Sequence, residues 1–481
     1  MQGSALSASA TDAAGRRKAR RAQAAEAARA GRTRMMLQGP IGPTLARLAA
    51  PNVVATFVMS AMSVAEGYFA GRMGVSALAG LALVFPLVML TQMLSAGAMG
   101  GAISSAVARA LGAGEAARAG SLALAAWIIA ASIAAGTALL MAWLGRPIFG
   151  LLGGAGAAGE GGAIEAAAAY ASVFFPGCIT LWLCHSTLSV IRGTGDMRTP
   201  SLLLLAVSLG SIPLSGALGL GWGPFPELGM AGLAAGLVIA YAVGAVAALA
   251  VVALGRTGLS LSAGLGPQRR ALFWDILRVG LMASISSAMT VLTIVLMVGA
   301  VGWHGEAALA GYGLGARLEF LMIPVIFGIG AAMTAMVGAN IGAGKRARAL
   351  RVAWTGAFSA AAIVGVIGAA AALAPDVWLR IFLDASEVGA LEAGRGYFRA
   401  VGPVYGFFAL GLALYFASQG AGRMVWPTVG GVLRMAVAFG GALWLGAASA
   451  WGLEGVFAAI SVGMVVYGGV IAVSTRATGW R

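Results

Sequence analysis

The chain has 481 residues, 60% of them apolar and only 10% charged, with a mean hydropathy of +0.91. A soluble domain carries about 25% charged residues, so this chain cannot cover itself with polar surface and must use lipid as solvent. The net charge of +15 is no nucleic-acid footprint, because the basic residues gather at the ends of apolar segments and act as topology signals.

Residues 1–40 read as a basic tail, densest at Arg16, Arg17, Lys18, Arg20 and Arg21. No apolar core with a small-residue cleavage site precedes that run, which argues against a secretory signal. An Arg-rich, acid-poor transit peptide is the alternative to a solvated cytoplasmic tail lying near anionic lipid. Six apolar spans then fill an N-lobe over 41–254, near 44–70, 77–105, 121–144, 165–190, 200–221 and 228–254. A cytoplasmic linker over 255–272, carrying Gly264 and Pro267, joins it to a C-lobe over 273–475. There the spans fall near 273–302, 307–340, 350–374, 394–417, 427–447 and 452–475, and residues 476–481 close the chain. With the N-terminus inside, the inside segments collect 24 of the 31 Lys and Arg, and the outside segments take six. Both termini of this multi-pass inner-membrane chain are therefore expected in the cytoplasm. Arg434 is the exception, within the eleventh span and expected to reach its inner end along an apolar stem.

The two halves repeat one another. ALAG at 77–80 returns at 308–311, and LGAG at 111–114 returns as IGAG at 341–344. RGTGDMRTP at 192–200 shares Gly, Gly, Met and Pro with QGAGRMVWP at 419–427, and LGMAG at 228–232 pairs with WGLEG at 451–455. Four matches in one order, offset by 223 to 231 residues, mark a duplication. Six is even, so both copies enter the membrane in the same direction. The expected fold is all-α and integral to the membrane, with twelve transmembrane helices in two six-helix parallel repeats around a central cavity.

Soluble chemistry finds little support. The two histidines and two cysteines form no HExxH or CxxC, and no GxSxG elbow or P-loop occurs. No metal, cofactor or enzymatic site is expected, and Cys178 and Cys184 read as buried thiols.

The ordered motifs resemble the multidrug and toxic compound extrusion family from Pro43 to about Tyr467. They are Pro51…Glu66-Gly-Tyr-Phe-Ala-Gly71-Arg72-Met73-Gly74…Leu78-Ala79, then Leu111-Gly-Ala-Gly, Arg192-Gly-Thr-Gly-Asp-Met-Arg-Thr-Pro200 and Pro224-Phe-Pro-Glu-Leu-Gly229. The resemblance implies a V-shaped exporter alternating between inward- and outward-open states, expelling organic cations in exchange for H+ or Na+. Its NorM-like members carry acids in the seventh and tenth helices; its DinF-like members concentrate the ion site in the N-lobe. This sequence departs from both. Spans seven and ten hold no Asp or Glu over 281–299 and 400–417, and the family's N-x-x-x-D of the fifth helix is replaced by Ser211 and Ser215. The first-helix Asp has become Glu66.

Glu66 is the only acid well inside an apolar N-lobe helix. A carboxylate at membrane depth is costly, so it reads as a site for a proton or a substrate cation; the plain alternative is a boundary residue near Arg72. His185, midway along the fourth span, is either a proton relay partnering Glu66 or a hydrogen-bonded core histidine. Ser211 and Ser215 are the hydroxyls expected nearest Glu66. Glu319 is read at the outer end of the eighth helix, attracting cations at the cavity mouth or sitting at headgroup level. Met282, Met289, Met297, Met322, Met333 and Met336 suit either an adaptable pocket or helix packing.

The function expected is secondary antiport of small organic cations against H+, by a monomer embedded in lipid and without nucleic acid. Sodium needs several oxygen ligands at once, whereas a proton needs one titratable group. The rivals are a Na+-coupled exporter and a flippase for lipid-linked precursors. The flippase would call for cavity arginines, and the spans supply only Arg434.

Overall fold

Lipid offers no hydrogen-bond partners, so an apolar chain satisfies its backbone within helices. A computed structural model describes residues 20, 23–159, 162–261, 264–447 and 451–480, and these are helical almost throughout. Of the basic run at 16–21, only Arg20 lies among them.

Helix α1 covers residues 23–38. Twelve spans follow among the described residues: α2 (Ile41–Met73), α3 (Val75–Gly112), α4 (Ala116–Leu151), α5 (Gly162–Gly193), α6 (Arg198–Leu220), α7 (Gly229–Ala253), α8 (Arg269–Gly302), α9 (Glu306–Gly342), α10 (Arg346–Leu373), α12 (Val388–Ala421), α13 (Val425–Gly446) and α14 (Gly452–Thr478). The short helix α11 (Pro375–Leu379) lies between α10 and α12. At 38 residues, α3 would measure about 57 Å against a hydrocarbon core of about 30 Å, so it must tilt or protrude. A π-helical stretch, Met93–Met99, interrupts it.

The duplication is visible in the backbone. Gly195 and Gly422 occupy the same repeat position and adopt φ of 80° and 73°, a left-handed conformation that a side chain resists. Each ends a span and turns the chain straight into the next. Close packing repeats as well. A Cβ added at Gly80 would stand 2.8 Å from the Ala163 carbonyl oxygen, and one at Gly311 would stand 2.7 Å from that of Ala390. Small residues thus bring α3 onto α5 and α9 onto α12 in the same way.

We call the membrane face where α2 begins the near face, and its opposite the far face. The lobes join through their near halves. Gly112 and Gly342 lie so close to the backbones at Ala339 and Arg109 that neither has room for a Cβ. Nearer mid-depth, the Thr56 hydroxyl lies 3.4 Å from the Pro324 carbonyl oxygen. Toward the far face Val64 and Tyr68 of α2, Val295 of α8 and Phe320 of α9 are exposed.

Helix α1, read from sequence as part of a solvated tail, packs across the near face. Arg32 Nε lies 3.4 Å from the Thr194 carbonyl in the N-lobe, while the Met36 carbonyl accepts from Asn340 Nδ2 at 3.1 Å in the C-lobe. Met36 is fully buried.

Candidate functional site

Among the described residues, the two acids with hydrogen-bonding tyrosines at membrane depth are Glu66 and Glu319. Glu66 lies seven residues before the end of α2, about 10 Å below the far end of that helix. It is 7% exposed and accepts a hydrogen bond from the Tyr170 hydroxyl of α5 at 3.2 Å. Among the described residues no cationic side chain pairs with it. Phe69, one turn on, packs edge-on against Trp222 with ring centroids 5.5 Å apart.

The expected neighbours behave differently. Ser211 and Ser215 are buried, but each hydroxyl donates to a backbone carbonyl, Ser208 at 2.9 Å and Leu233 at 3.0 Å. His185 is buried and its Nδ1 hydrogen-bonds Ser95 Oγ at 2.9 Å, with no direct bond to Glu66. Its Nε2 has no partner, and its ring stands edge-on to Tyr241 at 5.3 Å. The Tyr241 hydroxyl is also buried and unpartnered. Two separate contacts result, Glu66 with Tyr170 and Tyr241 with His185 and Ser95.

Glu319 lies thirteen residues into α9, about 20 Å from its far end and well below the rim where the sequence suggested it. Its carboxylate accepts a hydrogen bond from the Tyr397 hydroxyl of α12. Gly315, one turn earlier, has only hydrogen where a Cβ would collide with the Tyr397 ring. That bare backbone is what lets the ring lie against α9. Arg434 does not reach the near end of α13. Its guanidinium stands over the rings of Phe408 and Tyr467, at 4.9 and 5.8 Å from their centroids.

Tyr170 and Tyr397 were not singled out in the sequence, yet a signal existed. Tyr170-x5-Pro176 and Tyr397-x5-Pro403 fall in register when RGTG is laid on QGAG. Other candidates sit apart from the carboxylates or inside the packing. Met297, Met322, Met333 and Met336 are buried in the bundle, and Met282 is exposed. Cys178 and Cys184 are both buried free thiols.

The seam carries the strongest ion-pair cluster. Asp275 of α8 binds Arg109 of α3 at 3.0 Å and Arg118 of α4 at 3.2 Å, with Arg278 at 3.6 Å. Gln419 of α12 adds bonds to the carbonyls of Gly97 and Ala98, at 3.2 and 3.0 Å, beside the π-helical stretch of α3. These contacts tie the near ends of the two lobes together.

The MatE family model matches residues 51–215 and 281–442, most of both lobes. The chain belongs to the MatE family. It is similar to the "FAD transporter" of Shewanella oneidensis, 24% identical over 314 residues, covering 65% of this chain and 68% of that protein. The "Probable multidrug resistance protein NorM" of Thermotoga maritima is 26% identical over 386 residues, covering 80% and 81%. A solved MOP superfamily transporter from Pyrococcus furiosus superposes with a TM-score of 0.81 at 22% identity, over 92% of this chain and 97% of that one. This MatE chain is a multidrug-type transporter and a multi-pass membrane protein of two six-helix repeats.

Proposed function

We propose that this MatE transporter is a secondary antiporter that exports small organic cations in exchange for H+, with Glu66 as the group for which proton and cargo compete. One observation carries the reading. A carboxylate buried at membrane depth, with a phenol as hydrogen-bond donor and no cationic partner among the described residues, is stable only when neutralised by a proton or a bound cation. Protonation releases the cation, and cation binding releases the proton, which is the requirement for exchange.

The choice of H+ over Na+ follows from the neighbours. The hydroxyls of Ser211 and Ser215 are spent on backbone carbonyls, so the oxygen shell a sodium ion needs is not assembled around Glu66. A proton needs only the carboxylate, with His185 and Tyr241 as further buried polar groups of the same lobe. The near face is the cytoplasmic one in this reading, as the surplus of Lys and Arg there argues.

The test is dye efflux from proteoliposomes with proton and sodium gradients imposed separately. A pH gradient alone should drive it, and Glu66→Gln should abolish it while leaving insertion and folding intact. Glu66→Asp should retain part of the rate. Transport driven by sodium alone at fixed pH, or wild-type efflux by Glu66→Gln, would overturn the proposal.

A further inference from the structure

The C-lobe site differs from the N-lobe site in charge. Glu319 of α9 and Arg434 of α13 both lie at mid-depth, and each is within electrostatic reach of the other. They do not form an ion pair within 4 Å, and among the described residues Arg434 has neither a salt-bridge nor a hydrogen-bond partner. It rests instead on the faces of Phe408 and Tyr467. The buried Tyr405 hydroxyl faces the same carboxylate beside Tyr397. A guanidinium at this depth is left without a polar partner among the described residues, beside an acid that already accepts from Tyr397.

The charges limit what satisfies such a site. A simple cation drawn to Glu319 meets the field of Arg434, and a simple anion drawn to Arg434 meets that of Glu319. A molecule carrying both charges meets neither penalty. We infer that the C-lobe holds a cargo subsite for dipolar molecules, in which a cationic group pairs with Glu319 and an anionic group with Arg434. The aromatic faces of Phe408 and Tyr467 hold the guanidinium in place. The inference rests on the reading that the chain carries cationic organic cargo, and it adds that the preferred cargo also bears an acid. Glu66, where proton and cargo cation compete, lies in the other lobe, so this subsite is a second docking point along the route of the cargo.

Equilibrium binding to the purified full-length protein in lipid nanodiscs, without any gradient, isolates this claim from coupling. The probes are rhodamine B, whose xanthylium cation and carboxylate make it dipolar, and its ethyl ester, which keeps only the cation. Fluorescence anisotropy should show rhodamine B binding about tenfold tighter, the worth of one charge-assisted hydrogen bond. Arg434→Gln should erase that preference and leave ester binding unchanged, whereas Arg434→Lys should keep most of it. Glu319→Gln should weaken both dyes, and Glu66→Gln should leave their ratio as in the wild type. Equal or tighter binding of the ester, a preference that survives Arg434→Gln, or failure of both dyes to bind would each overturn the subsite. None of these results bears on whether protons drive efflux, so the two proposals fail independently.

Discussion

The lobes share a tyrosine and differ in where the acid comes from. In the N-lobe Tyr170 of α5 meets a carboxylate from α2; in the C-lobe Tyr397, at the same repeat position, meets one from α9. Laid on the repeat, Glu66 corresponds to Met297 and Glu319 to Val88, both buried apolar residues. Each lobe thus kept the phenol and moved the charge to a different helix. The difference teaches that duplication preserved the scaffold, the glycine contacts and the tyrosine while the electrostatics diverged. An acid without a countercharge suits proton exchange; an acid facing a guanidinium suits recognition.

The sharpest way to break the comparison is to remove the shared phenol from each lobe. A hydrogen bond to a charged group is worth about 1.5–3 kcal/mol, or about ten- to a hundredfold. Tyr170→Phe should slow proton-driven efflux by that order and leave the preference for the dipolar dye unchanged, and Tyr397→Phe should weaken dye binding with the proton stoichiometry unchanged. Identical phenotypes would mean that the lobes have not divided the work. Gly315 offers a second contrast, because its missing Cβ is what admits the Tyr397 ring. Gly315→Ala should cost about 1–3 kcal/mol of stability through overpacking. Gly313→Ala on the same helix, where a Cβ meets nothing within 4 Å, should be neutral or stabilising by up to about 1 kcal/mol. Thermal unfolding of both variants decides it.

The smallest expected effect compares the far-face ion pairs. Arg395 grips Asp376 with two bonds of 2.7 and 2.8 Å, whereas Arg146 and Glu165 meet through one bond of 3.1 Å with both side chains largely exposed. The Arg395 guanidinium holds the Asp376 carboxyl below its usual range. Its contribution is therefore complete above the ordinary carboxylate pKa and is lost as pH falls through the lowered one. Asp376→Asn should lower the unfolding temperature slightly at neutral pH and not at strongly acidic pH, while Glu165→Gln should change it at neither. A loss independent of pH would show that Asp376 acts through packing alone.

Much of this was legible in the amino-acid order. Lipid forces apolar runs into helices, so twelve spans could be read from composition and their kinship from four short motifs. Glu66 stood out because a carboxylate is rare in such surroundings. Its partner did not, since Tyr170 lies 104 residues away and a tyrosine among apolar residues carries no cost that advertises it. Glu319 was read too near the rim although its span had been placed from 307; thirteen residues of helix carry it about 20 Å inward. Arg434 was expected at the membrane surface because a long stem can reach it; aromatic faces from two neighbouring helices hold it inside instead. Asp275 drew no attention in the sequence, because the two arginines that bind it come from the opposite lobe.

Helix α1 also has a place in the order of assembly. It leaves the ribosome before any of the spans, yet its Met36 carbonyl is bonded by Asn340, 304 residues later in the chain. At about 5–20 residues per second, that partner is made roughly 15–60 s afterwards. Throughout that interval the helix has only half of its dock, and it can settle only when the eighth span has been inserted beside the first. Its seating is a late step of biogenesis, and its release from the near face would be an early sign of a chain that failed to complete its second half.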